Sequence, residues 1–523
     1  MTHRMSWVAY GLAAIASLAI GLTVALSTQL AWILLIAGGL SLIIVPPPLW
    51  GNLLTKTTSS RVVPVDARLS ALQQYGAYAL ALYLLATTRW GSGISLTGGP
   101  PYISDLALLV LLTRHFLAGS LRSVHTRASD ALDPWTRTLT LALILLILVH
   151  LISGSISQNA LRDAAPYFYV IVILLVPLST AQTRYTVSRA LTCALVLHAL
   201  WVTCDLLDPS LPGSLPVGAT GVHILALRPD IDTLVCGLLS ALSLHRLLTE
   251  RHMLINFVFT IWGGALVLAL YDRAGLVAFV VQLTMVLMLA PARRRIVYAR
   301  SNLPLIVVIT TTIGLGFVVA ASQSTPVQRV IETIEGSSAT TNIRGALGTA
   351  RARSRSWSTL TRYLEAKPIR DIGGVGFGPD FLRESGAEEL LLGTGATKEE
   401  VRSPHNYLLN TWARLGLIGL AIVVALLCSG VRLAYIVARH GHDIGDVDVL
   451  AILVVGSIPV IAFVGVVLES PFGAIPYFWA VGHLAIRCRQ GTAVQSLDRK
   501  QRLGLSKHAV RRHSAGHVNR TSA

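Results

Sequence analysis

Charge is what this chain has least of. Only 13% of its 523 residues are Asp, Glu, Lys or Arg, about half the roughly 25% usual for a soluble domain. That excludes an ordinary soluble domain with a charged surface. Short segments of alternating polar and apolar residues are also missing, which excludes a membrane β-barrel. Cysteine is sparse. Cys193, Cys204, Cys236, Cys428 and Cys488 all lie in or beside apolar runs, so neither a disulfide framework nor a Cys-ligated zinc site is indicated. There is no repeat of roughly 20–50 residues and no evident pair of Gly/Pro-interrupted apolar segments. No acidic residue sits clearly in mid-membrane. These absences weigh against a pump or ion-coupled transporter.

What is present is apolar length: 53% of residues are hydrophobic and the mean hydropathy is +0.63. Runs of about 17–25 apolar residues cross a bilayer as helices, and a helix satisfies its own backbone polar groups in lipid. Spans are predicted near 6–26, 29–45, 71–87, 104–120, 138–153, 164–180, 187–206, 230–247, 253–270, 274–290, 303–321, 406–431, 449–468 and 472–487. The first run reads as a transmembrane helix in preference to a cleaved signal peptide. The expected fold is therefore an all-α integral membrane protein with about 12–14 transmembrane helices. One large extracytoplasmic helical loop separates two late spans. The division is 1–321, an N-terminal helix bundle; 322–405, the loop domain; 406–487, C-terminal transmembrane helices; and 488–523, a basic disordered tail.

The net charge of +17 does not point to nucleic acid, because the basic residues gather in short loops and in the tail. One alternate set of loops holds sixteen Lys and Arg residues, from Lys56 through Arg137 and Arg246 to Arg439; the opposite short loops hold Arg89, Arg162 and Arg228, with Arg273 at a boundary. The positive-inside rule then puts both termini in the cytoplasm and loops 88–103, 154–163, 207–229 and 322–405 outside. The tail fits contact with anionic headgroups.

Long loops are uncommon unless they work. Within 322–405, residues Asn342 to Leu364 read as a helix with an apolar stripe of Ala346, Ala350, Arg353, Trp357, Leu360 and Leu364. Arg344, Arg351, Arg355 and Arg362 form a separate stripe. Arg353 alone faces the apolar side and calls for an anionic partner, either a carboxylate or a bound phosphate. Gly374, Gly376 and Gly378 follow. Clustered glycines either offer amides to a phosphate or form a plain turn. In Ser403-Pro404-His405-Asn406, Ser403 suits an N-cap and Pro404 the first helical position. This spacing places His405 in the first turn of the next helix. There it is either an interfacial hydrogen-bonding group or a neutral general base beside a bound anion. Arg273, opening a span after Asp272, is either a snorkelling side chain or a third cation on the same surface.

Three stretches resemble the O-antigen ligase and O-antigen polymerase superfamily. They are Asp272-Arg273-Ala274-Gly275; Arg353-x-x-x-Trp357 with Lys367-Pro368 and the Gly374-x-Gly376-x-Gly378 run; and Pro404-His405-Asn406-Tyr407-Leu408 with Arg414-Leu415-Gly416-Leu417-Ile418-Gly419-Leu420. The likeness covers about 255–430. It implies an inverting, metal-independent membrane glycosyltransferase that needs no cofactor. Such an enzyme moves a glycan from undecaprenyl diphosphate, or a similar polyprenyl carrier, to a glycan or glycolipid acceptor. The setting is a bacterial inner membrane, with membrane lipid as the other partner and the active site extracytoplasmic. By the resemblance, Arg273 and Arg353 bind the diphosphate, with Arg344 a rival for the second place. His405 is catalytic, and Asn406, Trp357 and the three glycines are supporting. Asp272 departs from the usual serine and is positioned to pair with Arg273. The rivals are a polymerase of the same superfamily, a lipid-linked glycan transporter, and a metal-dependent polyprenyl-phosphate-sugar transferase using Asp230-Ile231-Asp232.

Overall fold

The computed structural model describes residues 75–88, 102–119, 132–154, 156–177, 181–208, 210–211, 226–249, 253–270, 272–289, 346–392, 402–440 and 444–490. Among these the regular elements are all helices, with no strand. Helix α1 covers 75–88 and α2 Ile103–Gly119. Helix α3, Pro134–Ser153, starts where the Asp133 carboxylate accepts the Thr136 amide at 3.1 Å and Pro134 supplies the first helical turn. Helix α4, Gln158–Phe168, is capped by Ser157, whose Oγ accepts the Ala160 amide at 3.1 Å. It runs through one 3₁₀ turn into α5, Val172–Leu175. The helix stops there because Val176 precedes Pro177 and is extended, at ψ 121°, as a residue before proline must be. The expected span at 164–180 is thus replaced by a broken helix that begins earlier and ends sooner.

Next come α6, Ala181–Leu207; α7, Pro229–Thr249; α8, Met253–Ala269; and α9, Arg273–Leu289. The loop domain supplies α10, Ala346–Glu365; α11, Pro368–Gly373; α12, Phe381–Ser385; and α13, Ala387–Leu392. Helix α14, Tyr407–His440, is followed by α15, Asp446–Ala462, and α16, 471–490. Among the described residues, four helices are long and apolar enough to cross a membrane: Pro134–Ser153, Arg184–Leu207, Pro229–Thr249 and Tyr407–Arg439. The apolar helices Leu254–Ala269 and Arg273–Leu289 are shorter. The expected spans at 6–26, 29–45 and 303–321, Arg344, and the tail beyond residue 490 lie outside the described residues.

Helix α7 is the axis of the bundle, with Asp232, Cys236 and Ser240 at most 1% exposed. Small residues let its neighbours close on it. A Cβ at Gly263 would lie 2.7 Å from the Cys236 carbonyl oxygen, and Ser240 donates to the Thr260 carbonyl at 2.7 Å. Close approach through small residues, with polar side chains bridging, is how helices associate where lipid removes the hydrophobic drive. Helices α3 and α14 are tied the same way by Thr136 and Ser429 at 2.8 Å. Ion pairs hold one end of the bundle: Arg246 to Asp446, Arg432 to Asp133, and Arg487 with His483 to Asp448. The loop domain packs on the other end. There Leu360 and Leu364 of α10 are fully buried with Phe381, Leu382 and Ala413, as the apolar stripe predicts. Arg355 and Arg362 are exposed. The side chains of Ala346, Ala350 and Arg351 lie outside the described ones.

The loop domain is sealed to the bundle backbone to backbone. Gly374 has φ +77° and Gly416 φ +68°, and Gly416 interrupts α14 with a single non-helical residue. A Cβ at Gly374 would lie 2.5 Å from the Arg414 carbonyl oxygen, and one at Gly416 would strike the Ile372 carbonyl. Val375 donates to the Ala413 carbonyl at 2.8 Å across this seam. Left-handed backbone and close contact both demand glycine. We expect Gly374→Ala and Gly416→Ala each to destabilise the folded protein by about 2 kcal/mol or more. Gly373→Ala, where an added Cβ meets nothing within 4 Å, is expected to change little. Thermal unfolding in detergent, followed by size-exclusion, checks the contrast.

Candidate functional site

The strap 402–406 leads into α14, and the sequence expectation for it is corrected by three residues. Asn406, not Ser403, caps the helix: its Oδ1 accepts the Leu409 amide at 3.0 Å, and α14 begins at Tyr407. His405 lies just outside the helix at φ +54°. A non-glycine residue there is uncommon and persists only where its surroundings hold it. Two anchors do so. Ser403 Oγ accepts the His405 amide at 3.1 Å and donates to Glu469 Oε1 at 2.9 Å. Trp357 Nε1 donates to the Pro404 carbonyl at 2.7 Å, and its ring meets Phe463 edge-on at 6.2 Å. Trp357 thus joins the loop helix to the histidine strap.

Charged groups from α10 and from the start of α7 act on His405. Arg353, on α10, donates to the Val464 carbonyl at 2.9 Å, and its guanidinium feels Arg273, Asp272 and Asp230. Burial first, and then Arg273, lowers its affinity for a proton. Asp272 caps α9, its Oδ2 accepting the Gly275 amide at 2.5 Å. The departure from serine therefore keeps the capping role, and the carboxyl is held above its usual range by burial. Arg228 pairs with Asp230 at 2.9 Å and lies over the Phe472 ring at 5.1 Å. His405 is pushed down to about 4 by burial, then by Arg353 and Arg228, with Asp230 opposing. Of the sequence-predicted residues, Arg353 thus lies within electrostatic reach of both Arg273 and His405.

The acidic pair expected of a metal-dependent transferase is turned two ways. Asp230 faces Arg228. Asp232 is fully buried, accepting Thr88 Oγ1 at 2.9 Å and lying 3.5 Å from His198 Nε2. Among the described residues, no group of three His, Cys, Asp or Glu side chains is placed to hold a metal.

Beside the strap lies a hub that sequence reading missed. Asp163, on α4, accepts Arg402 at 2.8 Å, Arg414 at 2.8 Å and the Gly378 amide at 3.1 Å. Arg414 is only 2% exposed. It also donates to the Pro379 carbonyl at 2.7 Å and lies 4.5 Å from the Phe381 ring centroid. The glycine run is used up in this assembly. The Gly374 amide bonds the Arg370 carbonyl at 2.9 Å, the Gly376 amide the Arg414 carbonyl at 3.0 Å, and the Gly378 amide Asp163. The amides of all three glycines are engaged, so the run is a packing element and the phosphate-cradle reading gives way. An arginine in the apolar opening of a span is the signal that a buried acid must face it. Nothing in the sequence says which acid.

Residues 258–424 match the family model described as O-antigen ligase, about a third of the chain. No curated protein matches the chain. The matched stretch holds Arg273, Arg353, His405, Arg414 and the glycines; Asp163, Arg228 and Glu469 lie outside it.

Glu469 is the second group missed. Its carboxyl is raised to about 7, by burial first, against Ser403, Arg414 and Arg228, which lower it. The two shifts have opposite consequences for stability. A raised carboxyl destabilises the fold once pH rises above its unfolded value near 4.5, and the full cost is present above 7. A depressed imidazole destabilises the fold as pH falls from 6.5 toward 4. We expect Glu469→Gln to raise the melting temperature at pH 8 and leave it nearly unchanged at pH 4.5. His405→Gln should raise it at pH 4.5 and leave it nearly unchanged at pH 8. Melting curves at the two pH values check both signs.

Proposed function

With an O-antigen ligase family domain at residues 258–424 placing the chain in the O-antigen ligase and polymerase superfamily, we propose that it transfers a glycan from a polyprenyl-diphosphate carrier to an acceptor hydroxyl on the outer face of a bacterial inner membrane. Both termini are then cytoplasmic, and the end of the bundle carrying α10–α13 faces outward. The observation that carries this reading is that Arg353 lies within electrostatic reach of both Arg273 and His405, with His405 held by Ser403 and Trp357.

The donor diphosphate is bound by Arg353 and Arg273, whose forks match phosphate oxygens. The acceptor oxygen attacks the anomeric carbon from the opposite side. The bond from that carbon to the diphosphate oxygen breaks, its electron pair leaving with the polyprenyl diphosphate. The hydroxyl proton passes to His405. With these neighbours alone His405 is neutral at pH 7 but a weak base, at about 4. An anion beside Arg353 and Arg228 offsets the positive field that contributes to this, so the imidazole becomes a better base as the donor arrives. Neither the fixed cations nor the neutral imidazole requires a metal ion.

A polymerase of the same superfamily attacks the same donor linkage, and the cation–histidine arrangement serves either outcome. The metal-dependent rival is disfavoured because Asp230 and Asp232 diverge. A transporter is disfavoured because the charged clusters described lie at the two ends of the bundle, outside its apolar middle.

The test is glycan release from an undecaprenyl-diphosphate donor by the reconstituted protein with EDTA present. Wild type is expected to transfer. His405→Ala is expected to lose about 10²–10⁴-fold in kcat. Arg353→Lys is expected to lose about tenfold or more in donor kcat/KM, because a lysine cannot bridge two phosphate oxygens. Loss of wild-type activity in EDTA would overturn the proposed mechanism.

A further inference from the structure

A cavity of about 280 Å³ opens between the end of α3 and the glycine run. That is just below the roughly 300–1,000 Å³ of sites for drug-sized ligands, and suits a single sugar ring. His150 and Ser153 line one side; Gly374, Gly376 and Phe377 line the other. The His150 and Phe377 rings meet edge-on at 6.1 Å. Gly376, at φ +79°, keeps the space open, since a Cβ there would meet only His150 Nδ1, at 3.8 Å. Among the described residues no arginine or lysine lines the cavity, so its lining is unsuited to a diphosphate. Its neutral hydrogen-bonding groups beside an aromatic ring suit hydroxyls and a carbohydrate face.

The surroundings of the cavity are apolar. Ile152, between the two α3 lining residues, is 79% exposed, and Ile372, two residues before Gly374, is 52% exposed. Helix α11, which carries Ile372, packs on α14 beside Leu417 and Ile418, themselves exposed on the candidate span. An exposed apolar surface continuous with a membrane-crossing helix faces lipid. The far end of the glycine run is bound to the histidine strap, because Gly378 and Arg402 both bond Asp163, and Arg402 also donates to the Gly378 carbonyl at 3.1 Å.

From this arrangement we propose that the cavity between His150 and Gly376 is the acceptor subsite, holding a sugar ring carried on a lipid whose chain lies along Ile152 and Ile372. The acceptor role rests on the glycosyl-transfer reading above; the binding of a lipid-borne sugar does not. The arginine-flanked His405 region and the cavity divide the substrates by chemistry, diphosphate to the cations and neutral sugar to the cavity.

The experiment uses the full chain in nanodiscs and a diazirine-bearing alkyl glucoside as probe. Wild type is expected to be labelled in the segments 150–154 and 374–379. Labelling should fall at least tenfold in Ser153→Trp, which fills the cavity from an exposed position, and in His150→Ala, which only removes a ring. In the transfer assay at saturating donor, both variants are expected to raise the acceptor KM about tenfold. An unchanged donor KM then also shows that they are folded. Labelling elsewhere, labelling unaffected by either variant, or a change in donor KM with acceptor KM unmoved would overturn the proposal. If wild type is labelled as expected but transfers no glycan, the transfer reading and the acceptor role fall while the lipid-borne sugar site stands.

Discussion

A carboxylate at Asp163 satisfied by two arginines and an amide is the interaction on which the rest of the candidate site depends. Arg414 is nearly inaccessible, and an unpaired guanidinium at that depth would cost several kcal/mol. Asp163 meets that cost, and the geometry that lets it do so fixes four pieces of chain at once. These are α4, the glycine run, the strap before α14, and the first turns of α14. Such a pair is weak evidence for net stability, but removing one partner strands the other as an uncompensated buried charge. The loop domain is therefore held against the bundle by buried charge on one side and by the Gly374–Gly416 backbone seam on the other.

That rigid frame lets a strained residue do chemistry. His405 occupies left-handed backbone because Ser403 and Trp357 hold the residues around it, and Ser403 is itself held by Glu469. At the imidazole, Arg353 and Arg228 outnumber Asp230 by one unit of charge. The surplus is positive, sits at a helix-bundle end, and is partly desolvated. An anion is its natural complement.

How much of this was legible in the sequence depends on distance along the chain. The helix over Ala346–Glu365 and its buried Leu360 and Leu364 followed from periodicity, because a helix writes its packing face locally. Arg353 stood out for the same reason. The start of α14 did not read correctly. Ser403-Pro404 has the local chemistry of a helix start, yet Ser403 is engaged by Glu469, sixty-six residues away. Asn406, an equally good cap, takes the role instead. The end of the 164–180 span was set too late for a local reason that was available: Pro177 forces Val176 out of the helix. The Asp163 hub and Glu469 were invisible because polar contacts across 66 or 239 residues leave no period. The glycine run was recognised as special, but its purpose, close packing on Arg414, needed the partner to be seen.

The most direct test of the account is the titration of His405 by NMR, with the imidazole isotope-labelled, before and after addition of undecaprenyl diphosphate. The account predicts a value near 4 in the empty protein and a rise of about one unit or more when the diphosphate binds, since it offsets Arg353 and Arg228. A titration unmoved by saturating diphosphate would place the phosphates away from the histidine and contradict the central claim.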